Sequence, residues 1–120
     1  MSEAGQDAKG PISPSFVYVA HFNAHGHDYI RVGYADNVER RISQLQADLP
    51  FQINLAYKRP SRNRTTAKAD EYAAALAVGI DPRRRGWVEG NPDDAVTKVD
   101  ALLGPPDTAV SHHIYLNSTR

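Results

Sequence analysis

Apolar residues recur along the chain with two different periods, and each change of period marks out an element. Phe16-Val17-Tyr18-Val19-Ala20 is a short apolar run of strand type, followed by a polar, glycine- and histidine-bearing turn from Asn23 to Asp28. A second strand is predicted from Tyr29 to Gly33. Beyond it, Val38, Ile42, Leu45 and Leu49 recur at spacings of four, three and four, which makes one apolar helical face. Asp36 is the predicted N-cap, and Glu39, three residues on, can return the bond as in a capping box. Arg41 sits beside the apolar stripe, so a hairpin presenting Tyr18 and a helix presenting Arg41 can meet at one concave spot.

Pro50 breaks the helical pattern, and Phe51, Ile53, Leu55 and Tyr57 then alternate, predicting a half-buried strand with these four on one face. Lys58 to Arg64, with Pro60, Ser61 and Asn63, reads as a loop. Thr65 or Thr66 caps a second helix through the alanine-rich stretch to Val78. Gly79 stops it and Pro82 prevents it from resuming. Asp81 to Gly90 is a turn-rich connection holding the one tryptophan. Asn91-Pro92-Asp93-Asp94 starts a third helix: a cap residue, proline at the first position and two acids at the positive end of the dipole. Ala95, Val96, Val99, Leu102 and Leu103 form its apolar face, and Gly104-Pro105-Pro106 ends it. Ala109 to Leu116 is predicted as a last strand. The order of strand, strand, helix, strand, helix, helix, strand predicts an α+β domain with a mainly antiparallel sheet.

Composition adds bounds. At 120 residues, 41% apolar and 23% charged, the chain suits one soluble globular domain. No apolar run reaches membrane-span length, so no membrane partner is expected. Residues 1–15 carry Gly, Pro and Ser without a signal-peptide core and are expected to be a flexible leader. Residues 91–120 are expected to pack on the domain formed by 16–90. The absence of cysteine excludes a disulfide framework, a zinc-thiolate site and a thiol nucleophile, which fits a cytoplasmic protein.

Charge changes the picture locally. The net charge is zero, yet Tyr57 to Arg85 holds Lys58, Arg59, Arg62, Arg64, Lys68, Arg83, Arg84 and Arg85 against only Asp70, Glu71 and Asp81. A basic middle between acidic flanks can bind phosphate; the plainer reading is two solvated, arginine-rich loops. His21, His25 and His27 span a turn, and His112 and His113 would point to opposite faces of a strand, which is poor spacing for one zinc ion.

Val17-Tyr18-Val19, Arg31-Val32-Gly33, Arg41 and Glu71 together resemble the GIY-YIG nuclease superfamily. The specific part is Gly33 to Gln46, with Asp36-Asn37, Glu39-Arg40-Arg41 and Gln44-Leu45-Gln46, which is similar to a phage-type branch whose second half-motif reads Lys-Ile-Gly. The resemblance covers about Phe16 to Val88. It implies metal-assisted phosphodiester hydrolysis: Tyr18 as general base or as orienter of the attacking water, Arg41 stabilising phosphate charge, and Glu71 holding Mg2+ or Mn2+. Arg31 stands where the superfamily has tyrosine, and Tyr29 on the same strand face can supply the phenol. Ala75 and Arg85-Gly86-Trp87-Val88 depart from the branch, which often has a histidine and Gly-Glu-Trp-Phe there.

Each residue also has a plainer role. Tyr18 can be a packed strand tyrosine, Arg41 can cover the apolar stripe with its stem, and Glu71 can pair with Lys68 at helical spacing. Three functions therefore stand. One is a metal-dependent DNA endonuclease or nickase of phage or mobile-element type. The second is a nucleic-acid-binding module without catalysis, using Arg31, Arg41 and the loops at Arg59–Arg64 and Arg83–Arg85. The third is a scaffold that binds a protein partner. Oligomeric state is not legible.

Overall fold

A computed structural model describes residues 12–84 and 86–117. The expected leader lies outside them as far as residue 11. Five strands form one antiparallel sheet in the order β4-β2-β1-β3-β5, with three helices. They are β1 (Ser15–Ala24), β2 (His27–Ala35), α1 (Val38–Gln46), β3 (Asn54–Ser61), α2 (Arg64–Ala77), β4 (Val88–Glu89), α3 (Pro92–Leu103) and β5 (Leu116–Asn117). The α+β class and the antiparallel sheet are as expected.

The β1–β2 hairpin is longer than its apolar runs suggested. Its turn needs only His25 and Gly26, with φ of 55° and 84°, the left-handed pair of a type I′ turn that matches strand twist. Alternation along the hairpin then serves two cores. Val17, Val19, Ile30 and Val32 face α2 and α3, packing with Ala67, Ala74, Ala75, Val96 and Val99. Tyr18 and Ala20 face α1, packing with Val38 and Ile53 and the flanking Ile42, Leu45 and Leu49.

Strand β3 differs from expectation in three ways. Its register against β1 shifts between Val19 and Ala20, leaving Ala56 as an extra residue. This bulge breaks the alternation, so Ile53 and Leu55 pack on the α1 side while Ala56 and Tyr57 both turn to the other core. The strand also begins later than Phe51, because Gln46 ties down the connection: its amide donates to the Phe51 carbonyl at 2.7 Å and accepts from the Ile53 N–H at 2.9 Å. Finally, Lys58 to Ser61 is strand and not loop. Pro60 is tolerated because β5 pairs with β3 only at Tyr57 and Lys58, so β3 is an edge beyond that point.

The helix caps shift by a residue or more. Asn37, not Asp36, accepts the Arg40 N–H at 3.0 Å. Asn63, not Thr65 or Thr66, caps α2 by accepting the Thr66 N–H at 2.9 Å. Asn91 caps α3 as read, accepting from Asp94. The predicted strand at Ala109–Leu116 is mostly turns. Asp107 accepts the Ala109 N–H through its side chain and the Val110 N–H through its carbonyl, and only Leu116–Asn117 reaches β3. His112 and His113 sit in those turns, with ring centroids 4.1 Å apart. The short β4 pairs with β2 at Tyr29 and Ile30 only.

Candidate functional site

Because β4 stops at Ile30, the outer edge of β2 from Arg31 to Tyr34 carries no partner strand among the described residues. The Gly90 N–H donates to the Asp28 carbonyl, which fixes the phase of that edge: alternate residues from Asp28 turn their backbone groups outward, Val32 and Tyr34 among them. A polar pocket of about 40 Å³ opens there. It takes Tyr18 from β1, Arg31 and Gly33 from β2, Arg41 from α1, Glu71 from α2, and Asp81 and Arg84 from the connection after α2. Four elements and one loop converge on a volume that suits a phosphate oxygen and a few waters but excludes a nucleobase.

Tyr18 is 1% exposed and is held by Ala20, Val38 and Ile53. Its ring fits because the facing residue on β2 is Gly33. Its hydroxyl has no hydrogen-bond partner among the described residues and, unlike that of Tyr57, is not sealed from solvent; the residue lines the pocket. Glu71 is 4% exposed, on the inward face of α2. Among the described residues, the Arg41 guanidinium hydrogen-bonds only the Gln44 side chain, at 3.4 Å. The Arg31 guanidinium lies 5.8 Å from the Trp87 ring centroid, a cation–π arrangement.

The basic residues sort into two sets. The sequence predicts Lys58, Arg59 and Arg62 as loop cations for nucleic acid, but all three are buried and paired with carboxylates. Lys58 meets Glu39 at 2.8 Å, which holds the Glu39 carboxyl below its ordinary 4.5. Arg59 donates to the carbonyls of Leu103, Gly104 and Pro105 at 2.9–3.2 Å, closing the end of α3, and pairs with Asp70. Arg62 pairs with Asp107. The physical reason is that β3 runs on to Ser61, so Lys58 and Arg59 belong to the sheet and Arg62 follows directly at its end. Arg64 and Arg83 are exposed but pair with Asp36 and Asp81. Arg85 lies outside the described residues. By contrast, Arg31, Arg41 and Arg84 have no carboxylate partner among the described residues, and all three line the pocket. Arg40 and Lys68 also lack one, but lie away from it.

The pocket thus brings together Tyr18, Arg31, Arg41 and Glu71. It leaves out Tyr29, whose ring stacks on Phe22 at 5.2 Å. It adds Tyr34 and Asp81, which sequence reasoning did not single out; Tyr34 follows Gly33 directly, and only knowledge of the bare edge would have drawn attention to it. The histidines do not assemble. His27 pairs with Glu89 at 2.8 Å, and among the described residues no three His, Asp or Glu side chains converge on a metal-sized site. No helix among the described residues is long and apolar enough to cross a membrane.

A family model described as the T5orf172 domain matches residues 15–102. No curated protein matches the chain. No solved structure matches it. The resemblance to GIY-YIG nucleases is therefore corrected: the family that matches is the T5orf172 domain. The run Gly33 to Gln46 that carried the resemblance is explained locally. Gly33 makes room for Tyr18, Asn37 caps α1 and Gln46 ties α1 to β3. Such a run specifies a strand–turn–helix before it specifies a family.

Proposed function

The chain belongs to the T5orf172 domain family, and from that premise we propose that it is a DNA-directed endonuclease or nickase acting at the pocket on the bare edge of β2. Membership of this family is consistent with a phage- or mobile-element-type domain of the nuclease or DNA-binding kind. The observation that carries the proposal is the sorting of charge. In a chain of zero net charge, three arginines without carboxylate partners among the described residues line one pocket with a buried tyrosine and a buried glutamate.

Arg31, Arg41 and Arg84 bind a backbone phosphate and stabilise the charge that builds on its oxygens as water adds to phosphorus. The Tyr18 hydroxyl, fixed by the packing around it, hydrogen-bonds the attacking water and orients it. The attacking water gives up one proton to solvent as its bond to phosphorus forms, the P–O bond to the leaving sugar oxygen breaks, and that oxygen takes up one proton from solvent. Glu71, with Asp81 at the same pocket, suits a magnesium or manganese ion that keeps most of its waters and needs only one or two carboxylates. When bound, such an ion supplies Lewis-acid polarisation of the phosphate.

The test is nicking of supercoiled plasmid in magnesium or manganese by the wild type, Tyr18→Phe, Arg41→Ala and Glu71→Gln. Nicking by the wild type and loss of at least a hundredfold in each variant is the expected result. Inert wild type, or variants that cut as well as it does, overturns the proposal and leaves a binding domain without chemistry.

A further inference from the structure

Next to the pocket, on the α1 side of the sheet, lies a group of aromatic rings that the hydrolytic reading does not use. Phe22 on β1 stacks on Tyr29 of β2 with centroids 5.2 Å apart and on Phe51 at 5.7 Å, the planes within 18° and 5° of parallel. Trp87 meets Phe22 edge-on at 4.7 Å. Phe22 is 6% exposed and forms the base, whereas Tyr29, Phe51 and Trp87 keep part of their surface in solvent. Trp87 packs on the same cluster of Tyr18, Ala20, Val38 and Ile53 as the α1 residues Ile42 and Leu45, yet it, Tyr29 and Phe51 are not fully covered, as a column of rings that only filled the core would be.

The column is joined to the pocket. Arg31 lines the pocket and also lies over Trp87. Along β2, Tyr29, Arg31 and Gly33 share one face, at about 7 Å per step from the rise of a strand. A phosphate held at Arg31 therefore has partly open aromatic rings one step away, which is the reach of the attached nucleotide. Bases inside a duplex present no ring face to such a surface; unpaired ones do.

We propose that Tyr29 and Trp87, with Phe51, form a stacking platform for an unpaired nucleobase beside the pocket, so that the site takes single-stranded or locally unpaired nucleic acid in preference to intact duplex. This rests on the reading of the pocket as a phosphate site. It deepens that reading by naming the substrate class.

Trp87 is the chain's one tryptophan, so its fluorescence reports on the platform directly. The full chain is titrated, in EDTA so that no cleavage enters, with a thymidine octanucleotide, the same-length abasic oligonucleotide and a blunt duplex. The expected result is quenching of Trp87 by the octanucleotide at lower concentration than by the other two. Tyr29→Leu, which keeps the apolar bulk, weakens octanucleotide binding by about fivefold to a hundredfold, the range of one base–aromatic contact. Tyr29→Phe retains it, and abasic binding is the same in all three proteins. Equal affinity for base-bearing and abasic oligonucleotides, or a Tyr29→Leu protein that binds as wild type, overturns the platform. Failure of the hydrolytic reading looks different: stacking persists in EDTA while plasmid stays uncut in magnesium and manganese.

Discussion

Tyr18 and Gly33 face each other across β1 and β2, and the glycine is there for the tyrosine. A Cβ at position 33 would lie 2.5 Å from the phenol oxygen and 2.6 Å from Cζ. The requirement is for space and not for an unusual backbone, since Gly33 is not among the residues with positive φ. The ring cannot swing aside easily, because it is packed against Ala20, Val38 and Ile53.

Gly33→Ala is therefore expected to cost about 1–3 kcal/mol, the usual penalty for overpacking, read as a lower urea midpoint with an unchanged slope. Tyr18→Phe is expected to leave stability within about 0.5 kcal/mol, because the hydroxyl it removes has no hydrogen-bond partner among the described residues. The same variant should abolish nicking. Phe at 18 does not rescue Gly33→Ala, since the ring carbons clash as well as the oxygen.

Arg59 and Arg64 separate structural from surface charge. Arg59 is 8% exposed and is the donor that satisfies three carbonyls at the end of α3. Arg59→Met should cost about 2–4 kcal/mol, because those carbonyls and Asp70 lose their charged donor. Arg64 is 70% exposed at its side chain, opposite Asp36 at 57%. Arg64→Ala should change stability by less than about 0.5 kcal/mol. Chemical denaturation of both variants checks the pair.

How far the chain could be read depends on the scale at which each signal acts. The helices were legible in existence and extent, since periodicity and caps are local, and only the cap residues moved, as at Asn37 and Asn63. The hairpin and the α+β class followed from alternation and turn chemistry. The two-residue strands β4 and β5 are too short to carry a period and exist only by pairing with β2 and β3. The bulge at Ala56 is set by the register against β1, so the placing of Tyr57 could not be read from alternation within β3. Tyr18, Arg31, Arg41 and Glu71 were legible as a set through resemblance, although the family named was the wrong one. The fate of the basic residues was not legible, because burial of Lys58, Arg59 and Arg62 depends on where α1, α2 and α3 lie over β3. Tyr34 and Asp81 join the pocket through tertiary placement, Tyr34 on the stretch of β2 beyond its pairing with β4 and Asp81 in the connection after α2.

The Glu39–Lys58 pair predicts a pH dependence. Lys58 is 5% exposed, its ammonium 2.8 Å from Glu39 and 4.8 Å from the Phe16 ring centroid. Glu39 titrates below 4.5 in the folded protein, chiefly through its hydrogen bond from Lys58. A carboxyl depressed on folding binds fewer protons folded than unfolded, so its stabilisation is present above about pH 4.5 and is lost as pH falls through the folded value. Glu39→Gln should lower stability at pH 7 by about 1 kcal/mol, small because the carboxylate is largely solvated. It should also flatten the fall in stability below pH 4.5. Lys58→Met should flatten the same limb at less cost, since it removes the buried charge together with its need for a partner. Thermal midpoints from pH 3 to 7 for the three proteins check both statements.

Salt dependence tests which cations meet nucleic acid. Each phosphate neutralised contributes about 0.9 to the slope of log K against log salt on duplex and about 0.7 on single strands. Arg31, Arg41 and Arg84 have no carboxylate partner among the described residues and line one pocket. Replacing each by glutamine should therefore weaken binding to a single-stranded oligonucleotide and reduce the slope by about 0.7 per residue. Arg62 is already paired with Asp107 beneath the surface. Arg62→Gln should destabilise the fold while leaving the slope of the folded protein unchanged. Affinities measured between 50 and 300 mM salt, with folding verified for each variant, separate the two groups. A slope that falls for Arg62→Gln but not for the pocket arginines would move the phosphate contacts to β3 and remove the basis for placing the scissile bond beside Tyr18.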